Sequence, residues 1–141
     1  MTGRVDIYLL ETDDSAARRI TACRLIEKIY RQGLTVFAQV DNEEEAQRFD
    51  DLLWTFRQGS FVPHEPFRAD AQEAPVVIGS GDSVPGGQDV LINLSTNLPE
   101  GYEIYPRIAE IVDQDPAIRS AGRLRYRQYQ SLGMDIQTHK L

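Results

Sequence analysis

Short apolar runs rich in β-branched residues alternate with segments of helical periodicity along most of this chain, and that alternation permits few folds. Residues 5–10 (VDIYLL) read as a buried strand. Thr12, Asp13, Asp14 and Ser15 follow as helix N-cap candidates. From residue 16 to about residue 32, Ile20, Cys23, Ile26, Ile29 and Tyr30 recur at helical spacing until Gly33 stops the run. Residues 35–40 read as a second strand. Asp41 or Asn42 then caps a helix whose first turn holds Glu43, Glu44 and Glu45, where the helix dipole favours negative charge. Its apolar stripe is Ala46, Phe49, Leu53 and Phe56. Residues 89–94 form a further strand, residues 105–112 contain another, and Asp115-Pro116 open a last helix that Gly133 closes. Strands alternating with helices predict an α/β domain, a mainly parallel sheet flanked by helices.

One long stretch breaks the pattern. Residues 57–88 carry Gly59, Pro63, Pro66, Pro75, Pro85, Gly86 and Gly87 and read as irregular, interrupted only by a short strand at residues 76–78. The glycine-rich part, from Gly79 to Gly87, reads as a flexible surface connection. With 141 residues, no internal repeat and no linker, the chain reads as one domain spanning residues 1–141.

An α/β sheet invites the thought of nucleotide binding at the strand ends. Here the first strand runs into Glu11-Thr12-Asp13-Asp14, where a phosphate loop needs glycines and a lysine, and two acids repel phosphate. The glycine-rich stretch contains no lysine and precedes a strand. His64 and His139 have no ligand-spaced partner and read as surface or loop residues; no metal and no cofactor are expected. Cys23, the single cysteine, excludes an intramolecular disulfide and reads as an inert packed thiol. Glu43–Glu45 and Asp50-Asp51 read as a solvated helix face. No apolar run reaches the ~20 residues of a membrane span, and an acid interrupts the apolar start, so no signal peptide is read there and a cytoplasmic location is expected.

Charge is distributed unevenly. The net charge of −7 opposes bulk coating of nucleic acid, so direct nucleic-acid binding is expected to be weak or absent. Residues 116–130 nevertheless carry Arg119, Arg123, Arg125 and Arg127 and no acid. On a helical wheel, Arg119, Arg123, Tyr126 and Arg127 fall within an arc of about 100°. Ile118, Ala121, Tyr129 and Leu132 fall opposite, placed to pack on the sheet, and Arg125 lands among them, where it must snorkel or pair with an acid. Three guanidinium groups around one aromatic ring suit an acidic peptide ending in an aromatic residue and a free carboxylate; the plainer alternative is that they complement the helix dipole. A second feature is Trp54, opposite its helix's apolar stripe, with Phe61-Val62-Pro63-His64 and Phe67 close behind in a segment too proline-rich for a central strand. The residues alone favour a satellite core under the long loop over an exposed protein-binding anchor.

The segments Asp51-Leu52-Leu53-Trp54, Ser60-Phe61-Val62-Pro63-His64, residues 89–94 (DVLINL) and Arg123-Leu124-Arg125-Tyr126-Arg127 together resemble the chi subunit of bacterial DNA polymerase III holoenzyme, over about residues 3–134. The resemblance implies a nucleotide-binding-like α/β fold without a phosphate loop and without catalytic activity of its own. It also implies a place in the clamp-loader assembly, joining the psi subunit to the acidic C-terminal tail of the single-stranded DNA-binding protein, SSB. Carried over by position, Arg119, Arg123, Tyr126 and Arg127 would dock the tail, Arg123 holding the terminal carboxylate. Trp54, Phe61 and Pro63 would face psi, or alternatively a DNA helicase. Just before Pro116, where the family can place apolar residues, this chain has Gln114 and Asp115, so a weaker or differently seated tail is expected. Two rivals from other classes are a small nucleotide-dependent enzyme using the sheet edge, and direct single-strand binding by the basic helix and its tyrosines.

Overall fold

The computed structural model describes residues 3–68 and 73–141. The strands are β1 (Arg4–Leu9), β2 (Val36–Gln39), β3 (His64–Pro66), β4 (Val76–Gly79), β5 (Val90–Asn93), β6 (Arg107–Val112) and β7 (Asp135–Lys140). The helices are α1 (Ser15–Arg31), α2 (Glu43–Thr55) and α3 (Pro116–Ser131), with a short 3₁₀ turn at Tyr102–Ile104. All seven strands join one sheet in the order β3-β4-β2-β5-β6-β1-β7, and every pairing is parallel.

Alternation along each strand divides the interior in two. Ala38, Ile78, Ile92 and Ala109 face a core built on Cys23, Ile26 and Ile29 of α1 and Phe49 and Leu53 of α2. Phe37, Val77, Leu91 and Ile108 face a second core containing Tyr129 of α3 and Val84 and Tyr105 of the connecting segments. The right-handed crossover rule accounts for this split. From β1 the chain moves through α1 towards β2; from the neighbouring β6 it moves through α3 in the opposite direction to β7, so the two helices lie on opposite faces.

Where adjacent parallel strands send the chain to opposite faces, a crevice opens that commonly takes ligands. At the β1–β6 divergence it is bridged: Gln114 Nε2 donates to the Leu10 carbonyl at 2.8 Å, and the Gln114 amide donates to Thr12 O at 2.9 Å. The helix starts beside it hold their own anions. Asp14 accepts from the Ala16 amide, and Asp115 from those of Ala117 and Ile118. The backbone donors a phosphate would need are thus engaged by carboxylates.

Several expectations are corrected. β3 lies inside the stretch read as irregular; its proline content is tolerated because it is an edge strand with Pro66 as its last residue. Residues 69–72 of that stretch lie outside the described residues. His64 belongs to β3 and is buried, its Nδ1 2.7 Å from the Val62 carbonyl, while His139 sits in β7 and contacts Asp6. β7 itself had no sequence signal, because only Ile136 is apolar among its six residues; it is held by parallel pairing to β1. Leu132 is solvent-exposed and does not pack on the sheet. Cys23 is fully buried, and burial pushes its thiol up to about 12, as an inert packed thiol requires.

Gly79 is likewise no part of a loose connection. It closes β4, and a Cβ there would meet Phe37 Cζ at 2.6 Å. Gly79→Ala is therefore expected to lower stability by about 1–3 kcal/mol through overpacking. Gly81→Ala, whose nearest neighbour would be Ser83 O at 3.8 Å, should be nearly neutral. Urea denaturation of both variants measures the difference.

Candidate protein-docking site

The helix α3 is presented by a charged clamp beneath it. Arg125 lies on the sheet-facing side, 3% exposed, and its Nε and Nη2 each donate to Glu110 of β6 at 2.8 Å. Its Nη1 donates to the Thr96 carbonyl at 2.9 Å. Tyr129 Oη donates to Glu110 Oε2 at 2.5 Å, and Asn93 Nδ2 to the same oxygen at 3.2 Å. The expectation that Arg125 pairs with an acid is thus met, by a strand residue fifteen positions upstream. Burial pulls the Arg125 pKa down, but the charge and hydrogen bonds of Glu110 outweigh it, and the net direction is up. Burial and the adjacent Glu110 push the Tyr129 phenol strongly up, so it remains a donor.

With this side turned inward, Arg119, Arg123 and Arg127 are exposed, and none makes an ion pair among the described residues. Arg119, Arg123 and Tyr126 converge on a cleft of about 310 Å³ whose apolar walls are Ile7 and Leu9 of β1 and Val112 of β6. Gly122 also lines it. A Cβ on Gly122 would meet Val112 Cγ2 at 3.2 Å, so the glycine lets α3 sit close to the sheet. Arg127, on the same wheel arc, lines the neighbouring groove of about 580 Å³ with Leu98, Leu124 and Gln128.

Sequence reasoning missed the strand contribution to this cleft. Thr138 of β7 forms part of the wall, and no helical wheel could have indicated it. It also misjudged the acid beside the cleft. Asp115 is occupied in capping α3 and is not among the lining residues; Gln114 and Asp113 are. Asp113 is fully buried, accepts from the Asp115 amide at 3.0 Å and leaves its Oδ2 without a partner among the described residues.

The second group is exposed, which overturns the satellite-core reading. Trp54 is 51% and Phe61 79% exposed, and Pro63 is also at the surface. The Trp54 ring lies against His64 with centroids 4.2 Å apart, and Val62 anchors the segment in the core beneath. Glu27 of α1 fixes the preceding loop by accepting from Ser60 Oγ and pairing with Arg57 at 2.8 Å. The Ser60 hydroxyl and, behind it, the two flanking arginines hold the Glu27 carboxyl below its ordinary range despite partial desolvation. Since α2 covers the face opposite α3, the aromatic group and the basic cleft belong to opposite layers of the molecule.

Fold and surface together define a class: a parallel α/β domain of nucleotide-binding-like build whose crevice is bridged and whose distinctive surface groups are an unpaired basic cleft and an exposed aromatic patch. The family model described as DNA polymerase III chi subunit, HolC, matches residues 1–137. The chain is 41% identical to DNA polymerase III subunit chi of Pseudomonas aeruginosa over 138 residues, covering 98% of this chain and 96% of that protein. It is 27% identical to the protein of the same name from Haemophilus influenzae, covering 100% and 99%. For that of Escherichia coli the figures are 26% identity and 93% of each chain. The chain belongs to the DNA polymerase III chi subunit family. Among the described residues no helix is long and apolar enough to cross a membrane.

The clamp and the cleft should respond differently to substitution. Glu110→Gln or Arg125→Met leaves a buried partner uncompensated and is expected to cost about 3–5 kcal/mol. Arg123→Ala, at the exposed cleft, should stay within about 0.5 kcal/mol. Equilibrium unfolding of the three variants gives the comparison.

Proposed function

We propose that this accessory subunit of DNA polymerase III acts as a non-catalytic adaptor in DNA replication. In this reading it docks the acidic C-terminal tail of SSB in the α3 cleft and engages the clamp-loader subunit psi through the Trp54–Phe61–Pro63 surface. The observation that carries the reading is the convergence of Arg119, Arg123 and Tyr126 on a cleft with apolar walls, its guanidinium groups free of ion pairs among the described residues, on a chain of net charge −7. A peptide end offers a carboxylate and acids to the arginines and an aromatic side chain to Ile7, Leu9 and Val112, a pairing of charge-assisted hydrogen bonds with apolar burial. Arg127, on the adjacent groove, is placed to meet acids further back along the tail. Opposite placement of the two surfaces favours simultaneous binding, which an adaptor needs.

Two measurements test this. Titration of the purified chain with a peptide of the SSB tail is expected to show micromolar binding that weakens with salt and falls at least tenfold in Arg123→Glu, with folding unchanged. Unchanged affinity in that variant would rule out the site. For the second surface, Phe61→Ala or Trp54→Ala is expected to weaken binding of psi by about 2 kcal/mol or more while leaving tail affinity intact. A loss of both together would show instead that the surfaces are not independent.

A further inference from the structure

The β6-β1-β7 corner of the sheet, on the face that carries α1, holds a group of side chains that neither docking surface uses. Asp6, fully buried at the centre, accepts from Arg4 Nε and Nη2 at 3.2 and 2.9 Å, from Arg107 Nε at 2.8 Å and from His139 Nε2 at 2.8 Å. Burial alone would raise the Asp6 pKa, but these three donors outweigh it and hold the carboxyl below its ordinary range. Arg107 Nη2 also donates to Tyr8 Oη at 3.0 Å, and the Tyr8 ring stacks on His139 with centroids 4.8 Å apart and planes at 17°.

Arg4, Tyr8, Arg107 and His139 open onto a cleft of about 410 Å³, whose far wall is Leu25 and Lys28 of α1. A network that served only to neutralise Asp6 would balance its charges. Here Arg4, Arg107 and Lys28 line the cleft, and the carboxylates beside them are Asp6, held by both arginines, and Asp135, next to Arg4, so three cations stand against two carboxylates. Lys28 has no ion-pair partner among the described residues; its place in the last turn of α1 also offsets the negative end of that helix. An arginine carries five N–H donors, and the Nη1 group of neither arginine is engaged among the described residues. Asp6 thus orients two guanidinium forks while leaving donors at the mouth, the arrangement that suits an oxyanion with several acceptor oxygens. Beside them Tyr8, one face of its ring held against His139, and Leu25 line the same cleft and offer a base an apolar contact.

We propose that this cleft is a nucleotide-phosphate site, taking the phosphate on Arg4, Arg107 and Lys28 and the attached base against Tyr8 and Leu25. The site is independent of the adaptor reading, because it lies on the face opposite α3 and at the β6-β1-β7 end of the sheet, whereas the Trp54 surface lies by the β3 edge at the other end. It is weak and salt-sensitive, as expected for a small excess of cations on an acidic body.

The test uses the intact chain at low and at physiological salt, titrated with thymidine monophosphate, thymidine and a short oligothymidylate, followed by chemical-shift changes of the Tyr8 and His139 ring resonances. Saturable shifts with the monophosphate or the oligonucleotide, absent with thymidine, are expected, with affinity falling about fivefold or more in Lys28→Glu and unchanged in Arg123→Glu. Lys28 is exposed, so its substitution leaves the Asp6 network and the fold in place. A higher affinity for the oligonucleotide assigns the site to a nucleic-acid strand, and a higher affinity for the monophosphate to a free nucleotide. Absence of saturable binding by either phosphate ligand, equal affinity in Lys28→Glu, or loss of binding in Arg123→Glu would each overturn the proposal.

Discussion

The buried bidentate pair between Glu110 and Arg125 determines how the functional helix is displayed. A carboxylate and a guanidinium almost devoid of solvent are tolerable only when their remaining hydrogen-bonding capacity is filled. Tyr129, Asn93 and the Thr96 carbonyl fill it here. The geometry of that network leaves α3 little freedom to roll on β6, since both NH groups that reach Glu110 come from one planar fork. Rotation by a single residue step, about 100°, would withdraw Arg125 and bury Leu124 or Tyr126 in its place. The exposed basic face is therefore the complement of a satisfied buried one.

The same parallel architecture sets what the strand ends can do. In folds of this build the strand C-termini and helix N-termini commonly collect anions. This chain places Asp14, Asn42 and Asp115 at those positions as caps and runs Gln114 across the β1–β6 crevice. The free positive charge appears elsewhere, on the outer side of α3 and at the β6-β1-β7 corner. In both places arginine side chains are displayed from regular elements, one a helix and the other a sheet. Rigid presentation lowers the entropy lost when a partner binds.

Much of the fold was legible because its determinants are local. The caps Asp14 and Asp115, the glycine after α3 and the alternating apolar runs of β1, β2, β5 and β6 all act within a few residues, so a linear reading recovers them. The pairing of Arg125 with an acid followed from its place on the apolar arc; which acid did not, because Glu110 reaches it only through the stacking of α3 on β6. The exposure of Trp54 and Phe61 was misjudged from residues alone, since an aromatic cluster near a proline-rich loop has the same pattern whether it is covered or bare. Val62, buried between exposed Phe61 and Pro63, is what turns its neighbours outward.

The sequence by itself determined a parallel α/β domain, its helix boundaries, the absence of a phosphate loop after β1 and a basic arc on the last helix, all properties of spacing and local chemistry. Tertiary structure alone decided that β7, with one apolar residue in six, becomes a strand at all, because its stability comes from hydrogen bonds to a β1 edge more than a hundred positions away. It also decided that three of the four residues on the basic arc share a cleft with Ile7, Leu9 and Thr138 while Arg127 lines the next groove. Contacts between residues so distant depend on how elements stack, and no periodicity within one element carries that information.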